Sequence, residues 1–241
     1  MFVASIHFGI IYMVFATRSL KPLNNPVLKY YVSAIIVSAI LVSLSIKFQS
    51  VGYNWGQSFM TGFFHVISSI STTGFAISDN NTWPLFACII TILITIPCGM
   101  AGSTTGGIKA DRMLLIFKTI GQQVKNAVHP SSINRLHIGN HILDKDEIYP
   151  HVVFMCLYLI TIGASVALTI LSGMDVQNAV ATSISCLSNV GPALESVGTL
   201  GNFNGVPVLA KITFIFDMFL GRVEIYPILA VSMMIFSGKN R

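Results

Sequence analysis

Residues 57–75 read QSFMTGFFHVISSISTTGF. The part from Gln57 to Ser71 is apolar, yet shorter than the roughly 20 residues that cross a bilayer core. The part that follows, TTGFAISDNNTWP, has the chemistry of a loop. A short apolar segment that ends in a glycine-bearing loop, set between longer apolar runs, reads as a re-entrant helix.

The stretch has a counterpart. DVQNAVATSISCLS (175–188) is followed by NVGPALESVGTLGNFNG, and Asp175 is a good N-cap for a short helix. Aligning Gly74 with Gly191 places Ser71 on Ser188, Ser68 on Ser185 and Ile67 on Ile184. Each segment follows one long apolar run and precedes another. The unit helix, re-entrant helix, glycine loop, helix is therefore expected twice. The expected organisation is residues 1–27, the last helix of a preceding repeat with its linker; 28–120, a repeat whose second helix is broken; 121–148, a connector; and 149–241, a second repeat.

The composition supports a lipid-facing chain. Of 241 residues, 53% are hydrophobic and 10% charged, against about 25% charged in a soluble domain. Apolar runs occupy Phe2–Ala16, Tyr30–Ile46, Trp83–Pro97, Val152–Leu171 and Val206–Phe236. The first lacks the basic start and cleavage site of a signal peptide and reads as the end of a membrane helix. The fold class expected is an all-α polytopic membrane protein with repeated helix, re-entrant pore helix and helix units.

The formal net charge is +5. Arg18, Lys21 and Lys29 lie between the first two runs. Lys109, Arg112, Lys118, Lys125, Arg135 and Lys145 lie between the third and fourth, and Lys239 and Arg241 end the sequence. Lys47, Asp79, Asp175 and Glu195 occupy the alternate loops. This asymmetry places the basic loops and the C-terminus in the cytoplasm. It marks orientation in a plasma (inner) membrane, in contact with lipid, and not a nucleic-acid surface. Cys88, Cys98, Cys156 and Cys186 form no CxxC pair and read as small core residues. His129, His137, His141 and His151 lack diagnostic metal spacing and read as solvated loop side chains, in a connector where Gly139–Asn140 suits a hairpin turn. No acid–base pair, nucleophile motif or metal cluster points to an enzyme.

Non-helical backbone at membrane depth must be buried in protein or line a wet cavity. Ser71, Thr72, Thr73, Gly74 and Phe75, with Ser188, Asn189, Val190, Gly191 and Pro192, are thus placed where carbonyl oxygens can replace the hydration shell of an alkali cation. A third stretch, GMAGSTTGGIKADR (99–112), lies between apolar halves. Gly99, Gly102, Gly106 and Gly107 would each cost about 1 kcal/mol inside a helix, and Pro97 adds a break. Two half-helices joined by a movable loop are expected, with Gly99, Gly102, Ser103, Thr104, Gly106, Gly107 and Lys109 as gate residues. In KITFIFDMFLGRVEIYPILAV (211–231), Lys211, Asp217, Arg222 and Glu224 interrupt an apolar run. Arg222 and Glu224 are two apart on the expected helix, so they are not expected to pair.

STTGF, AGSTTGGIK, SNVGPAL and DMFLGRVEIYP together resemble the membrane subunit of Trk/Ktr-type potassium uptake systems, over nearly the whole chain. The resemblance implies four repeats around one pore, with Gly74 and Gly191 as filter glycines of the third and fourth. It implies that the broken-helix loop is an intramembrane gate with Arg222 below the filter, and that K+ is the transported ion at the filter positions, with no covalently bound cofactor. It also implies a cytoplasmic nucleotide-binding regulatory subunit and a homodimer. Cys98 and Thr105 depart from the glycine and small residue common there. With two filter loops, this chain reads as a C-terminal half that needs an N-terminal half or other subunit to complete the pore. Two rival readings are a broken-helix secondary transporter and an inactive half-subunit that only associates with a full-length partner.

Overall fold

Two long apolar helices organise the computed structural model, which describes residues 1–49, 53–128, 136–138, 141–143, 145–193, 197–198 and 201–237. Arg135, His129, Gly139, Asn140, Glu195, Lys239 and Arg241 lie outside the described residues. Helix α2 (Pro26–Gln49) and helix α6 (Lys145–Leu171) are each long and apolar enough to cross a membrane. At 1.5 Å per residue, the 24 residues of α2 span about 36 Å.

Helix α1 (Phe8–Thr17) precedes α2. Helices α3 (Trp55–Ile70), α4 (Leu85–Ile94) and α5 (Ala110–Val128) follow it. A two-stranded antiparallel ribbon, β1 (Leu136–Ile138) and β2 (His141–Leu143), joins this half to α6. Then come α7 (Val176–Leu187), α8 (Val208–Val223) and α9 (Ile225–Ser237). The architecture is that of an all-α protein with one small ribbon.

The two halves are built alike. Helix α2 packs along α3 and α4, and α6 packs along α7 and α8. The core of the first half includes Tyr31, Ile35, Ala39, Val42 and Ile46 of α2, at helical spacing, against Val66 and Ile70 of α3 and Ala87 of α4. Gly62 permits the close crossing of α2 and α3, since a Cβ there would strike Ser43 Oγ. In the second half, Ala181 and Cys186 of α7 meet Ala210 and Phe214 of α8.

Sequence caps explain the short helices. Asn54 and Gln57 form a reciprocal capping box at the start of α3. At the start of α7, Asp175 Oδ2 accepts from the Gln177 N–H at 3.1 Å, as its N-cap chemistry implies. Buried share decides the environment of α6: only 22% of its apolar window is covered by protein. On α8, Val208, Ile212, Ile215, Phe216, Phe219 and Val223 form an exposed stripe. Large apolar faces left open in this way suit lipid or further helices.

The structure corrects three expectations. The run Val206–Phe236 is not one helix. It breaks at Glu224, whose φ of 66° and ψ of 152° lie in a region otherwise kept for glycine. The cause is Pro227, which has no N–H for the Val223 carbonyl and crowds it. The first apolar run is a 3₁₀ turn (Phe2–Ser5) followed by the ten-residue α1. Cys156 is exposed on α6, whereas Cys88, Cys98 and Cys186 are buried. Among the described residues, no group of three His, Cys, Asp or Glu is placed to hold a metal ion.

Candidate functional site

Helices α3 and α7 both end in the same turn. After α3, the N–H groups of Ser71, Thr72 and Thr73 donate to the carbonyls of Ile67, Ser69 and Ser68 at 3.0, 3.0 and 2.9 Å. After α7, Ser188, Asn189 and Val190 donate to Ile184, Cys186 and Ser185 at 2.9, 3.0 and 3.0 Å. Every donor and acceptor is displaced by the same sequence interval, that between Gly74 and Gly191.

The conformation matches as well. Thr72 and Asn189 have φ of 50° and 60°, and Gly74 and Gly191 have 73° and 104°. The pair of bonds and the left-handed residue are those of a Schellman cap. Its N–H groups turn back into the helix. Among the described residues, no hydrogen bond reaches the main-chain oxygens of Thr72, Thr73, Asn189 or Val190. Oxygens of this kind are left for water or an ion.

The turns lie against each other. A Cβ on Gly74 would strike the Val190 carbonyl and sit 3.1 Å from Pro192 Cδ. Asn80 Nδ2 donates to the Ala193 carbonyl at 2.7 Å, which ties the loop after the first turn to the loop after the second. The Ser188 hydroxyl is hydrogen-bonded to Tyr158 Oη at 2.9 Å and does not face the first turn.

The segment between α4 and α5 is irregular, as its glycines require. Cys98 N donates to the Ile108 carbonyl and Ala110 N to the Gly99 carbonyl, at 2.8 and 3.0 Å, which closes the base of a loop. Gly106 N donates to Thr72 Oγ1 at 3.4 Å. A Cβ on Gly106 would lie 3.0 Å from the Ser188 carbonyl. The loop therefore touches both turns. Its other side is braced by the N-terminal segment: Met100 N donates to the Ser5 carbonyl at 2.9 Å, and Phe8 N to the Gly102 carbonyl at 3.3 Å. Ser103 and Thr105 share a hydroxyl contact at 2.9 Å.

Two cations hold this loop, and a third ties the helix after it to α8–α9. Lys109 Nζ donates to the Thr105 carbonyl, and Arg222 Nη1 to the Thr104 carbonyl. Arg112 pairs with Glu224 at 2.6 Å and lies over the Phe154 ring at 4.1 Å. Arg222 and Glu224 do not pair with one another, as their spacing implies, although the helix break between α8 and α9 was unexpected. The Arg112–Glu224 pair was missed because its partners are 112 residues apart. Gly221 sets α8 against the second turn, since a Cβ there would collide with the Leu187 carbonyl.

Paired re-entrant helices, each closed by a carbonyl-presenting turn, between helices with apolar outer faces, define a polytopic helical membrane protein built from pore-type repeats. Residues 26–240 match the family model described as TrkH: Cation transport protein, and the chain belongs to that family. It is 28% identical over 230 residues to the Trk system potassium uptake protein TrkH of Escherichia coli K12, covering 95% of this chain and 47% of that protein. It is 28% identical over 239 residues to TrkG of the same organism, covering 98% and 47%. The crystal structure of the potassium transporter TrkH from Vibrio parahaemolyticus matches its fold with a TM-score of 0.87 at 24% identity, over 95% of this chain and 49% of that one. The chain spans about half the length of the curated relatives it matches.

Proposed function

We propose that this chain contributes two of the loops of a potassium-translocating pore. The observation that carries the reading is the repeated turn: one hydrogen-bond pattern used twice, side by side, with the carbonyls of Thr72, Thr73, Asn189 and Val190 unclaimed among the described residues. Carbonyls of Ser71–Phe75 and Ser188–Gly191 would substitute for the water shed by the ion, while the Pro192 carbonyl, which accepts from Ser185 Oγ at 2.7 Å, holds the second turn in shape. Hydroxyls of Thr72 and Thr73 add oxygen at the same level. Potassium, rather than another alkali cation, is inferred from the activity named for the relatives.

The loop Gly99–Lys109 is the gate in this reading. It lies against both turns and carries Lys109, while Arg222 is held on its Thr104 carbonyl. A like charge within about 4 Å of an ion costs roughly 4 kcal/mol at an effective dielectric of 20. Charges held beside the path therefore close it, and displacement of the loop opens it. Two further loops, from an N-terminal half or another subunit, complete the ring. The membrane is the plasma membrane, with the C-terminus in the cytoplasm. A nucleotide-binding regulatory subunit acts from the cytoplasmic side, on a homodimer.

Rubidium uptake in cells lacking their own potassium uptake tests this, with the chain co-expressed with a family N-terminal half. Uptake is expected, and Gly191→Leu is expected to abolish it. No uptake, or uptake indifferent to Gly191→Leu, overturns the assignment and favours a chain that only associates.

A further inference from the structure

The loop Gly99–Lys109 is gripped on a second side, by residues to which the ion path assigns no part. The 3₁₀ turn Phe2–Ser5 lies along it. Met100 N donates to the Ser5 carbonyl at 2.9 Å, and Thr104 Oγ1 donates to the Ala4 carbonyl at 3.3 Å. A Cβ on Gly99 would stand 2.7 Å from the same Ser5 carbonyl. Thr104 is therefore held from both directions, since its own carbonyl accepts from Arg222. A segment that carries Gly99, Gly102, Gly106 and Gly107 has little stiffness of its own, so its position depends on what grips it.

Ser5 is itself fixed. Tyr31 Oη donates to Ser5 Oγ at 2.7 Å, and Ser5 Oγ donates to the Phe2 carbonyl at 2.6 Å. The Tyr31 ring stacks on Phe2, with centroids 6.2 Å apart and planes 9° from parallel. Ser5 and Tyr31 are 0% and 1% exposed, so water does not compete for these bonds. Tyr31 belongs to α2, one of the two long apolar helices. A line of hydrogen bonds thus runs from a spanning helix, through Ser5, to the main chain of the loop. We propose that Tyr31 is a positioning residue for the gate: through Ser5 it sets the fraction of time that Gly99–Lys109 lies closed. This inference rests on the reading of that loop as the gate.

Packing is the rival role for Tyr31, and two cysteines separate the two. Cys98 reports on the loop. It is 0% exposed, its Sγ lies where a Cβ on Gly107 would stand, and it donates to the Thr95 carbonyl at 3.1 Å. Displacement of the loop uncovers it. Cys88 of α4 reports on the bundle, since it lies in the same apolar core as Tyr31. Tyr31→Phe removes the hydroxyl and keeps the ring against Phe2.

The test compares two chains in lipid nanodiscs, one with Cys98 as its single cysteine and one with Cys88, each with and without Tyr31→Phe. The rate of labelling by methyl methanethiosulfonate, a small neutral reagent, reads how often each thiol is uncovered. Loss of one buried hydrogen bond shifts such an opening by about fivefold. Labelling of Cys98 is expected to speed up by that factor, with Cys88 unchanged. An unchanged Cys98 overturns the proposal. Equal acceleration at both thiols also overturns it, because that is the result of lost packing. With Ser5→Ala already present the acceptor is gone, so Tyr31→Phe is expected to add nothing; a further acceleration of Cys98 overturns the link through Ser5. Labelling needs no ion flux, so its failure leaves the uptake result standing, and a failed uptake assay leaves the labelling rates as they are.

Discussion

Gly74 and Gly191 occupy equivalent positions but carry different constraints. Gly74 needs both a left-handed φ and the absence of a side chain, because Val190 of the other turn sits on it. Gly191 needs only the φ, since nothing lies within 4 Å of a Cβ built there. A left-handed residue with a Cβ costs about 1–2 kcal/mol. Gly191→Ala is therefore expected to cost about that much, and Gly74→Ala more, as read by thermal unfolding in detergent. Equal losses at the two sites would mean that the turns do not touch. Arg222 poses a different question. A hydrogen bond from a charged donor contributes about 1.5–3 kcal/mol, less where the guanidinium is exposed, and 1.4 kcal/mol is a tenfold shift in population. Arg222→Gln is expected to raise rubidium uptake by about tenfold at most. A fall in uptake would show that the arginine is needed for passage and not for closure.

At the scale of elements, the contact of α8 with the second turn depends on one missing methyl group. A Cβ on Gly221 would overlap the Leu187 carbonyl, a main-chain atom that cannot swing aside. Gly221→Ala is expected to push α8 from α7 and to lower both the unfolding temperature and uptake, although alanine favours helix elsewhere by about 1 kcal/mol. An unchanged unfolding temperature would mean that the helices can separate freely. The α8–α9 break is tied to the start of α5 by Arg112 and Glu224, whose side chains are 18% and 31% exposed. For a pair this accessible, a double-mutant cycle of Arg112→Gln and Glu224→Gln is expected to give about 0.5–1 kcal/mol. A coupling indistinguishable from zero would leave the gate loop and α9 mechanically separate.

At the scale of the whole molecule, the outer faces of α6 and α8 determine its surroundings. Cys156 lies on the exposed face of α6, and the other three cysteines are buried. In vesicles, a lipophilic maleimide is expected to label Cys156 and a charged one to leave it untouched. Labelling by the charged reagent would place this face in water. Cys88, Cys98 and Cys186 are expected to react only after denaturation.

Periodicity and caps are local, and they settled what could be read without coordinates. The short helices α3 and α7, the glycine-rich interruption after α4 and the likeness of the two halves all follow from residues within one turn of each other or from a repeated order of hydropathy. Gly74, Gly191 and Asn189 were legible because left-handed backbone favours glycine and asparagine, whereas the left-handed conformation of the β-branched Thr72 was not. The break at Glu224 was legible in principle from Pro227, but the apolar run around it masked the signal. Only the tertiary structure decided that Val190 sits on Gly74, that the loop Gly99–Lys109 touches both turns, and that Arg112 meets Glu224. Each of these joins residues far apart in sequence, and such contacts depend on how helices pack, which hydropathy and local propensity do not encode.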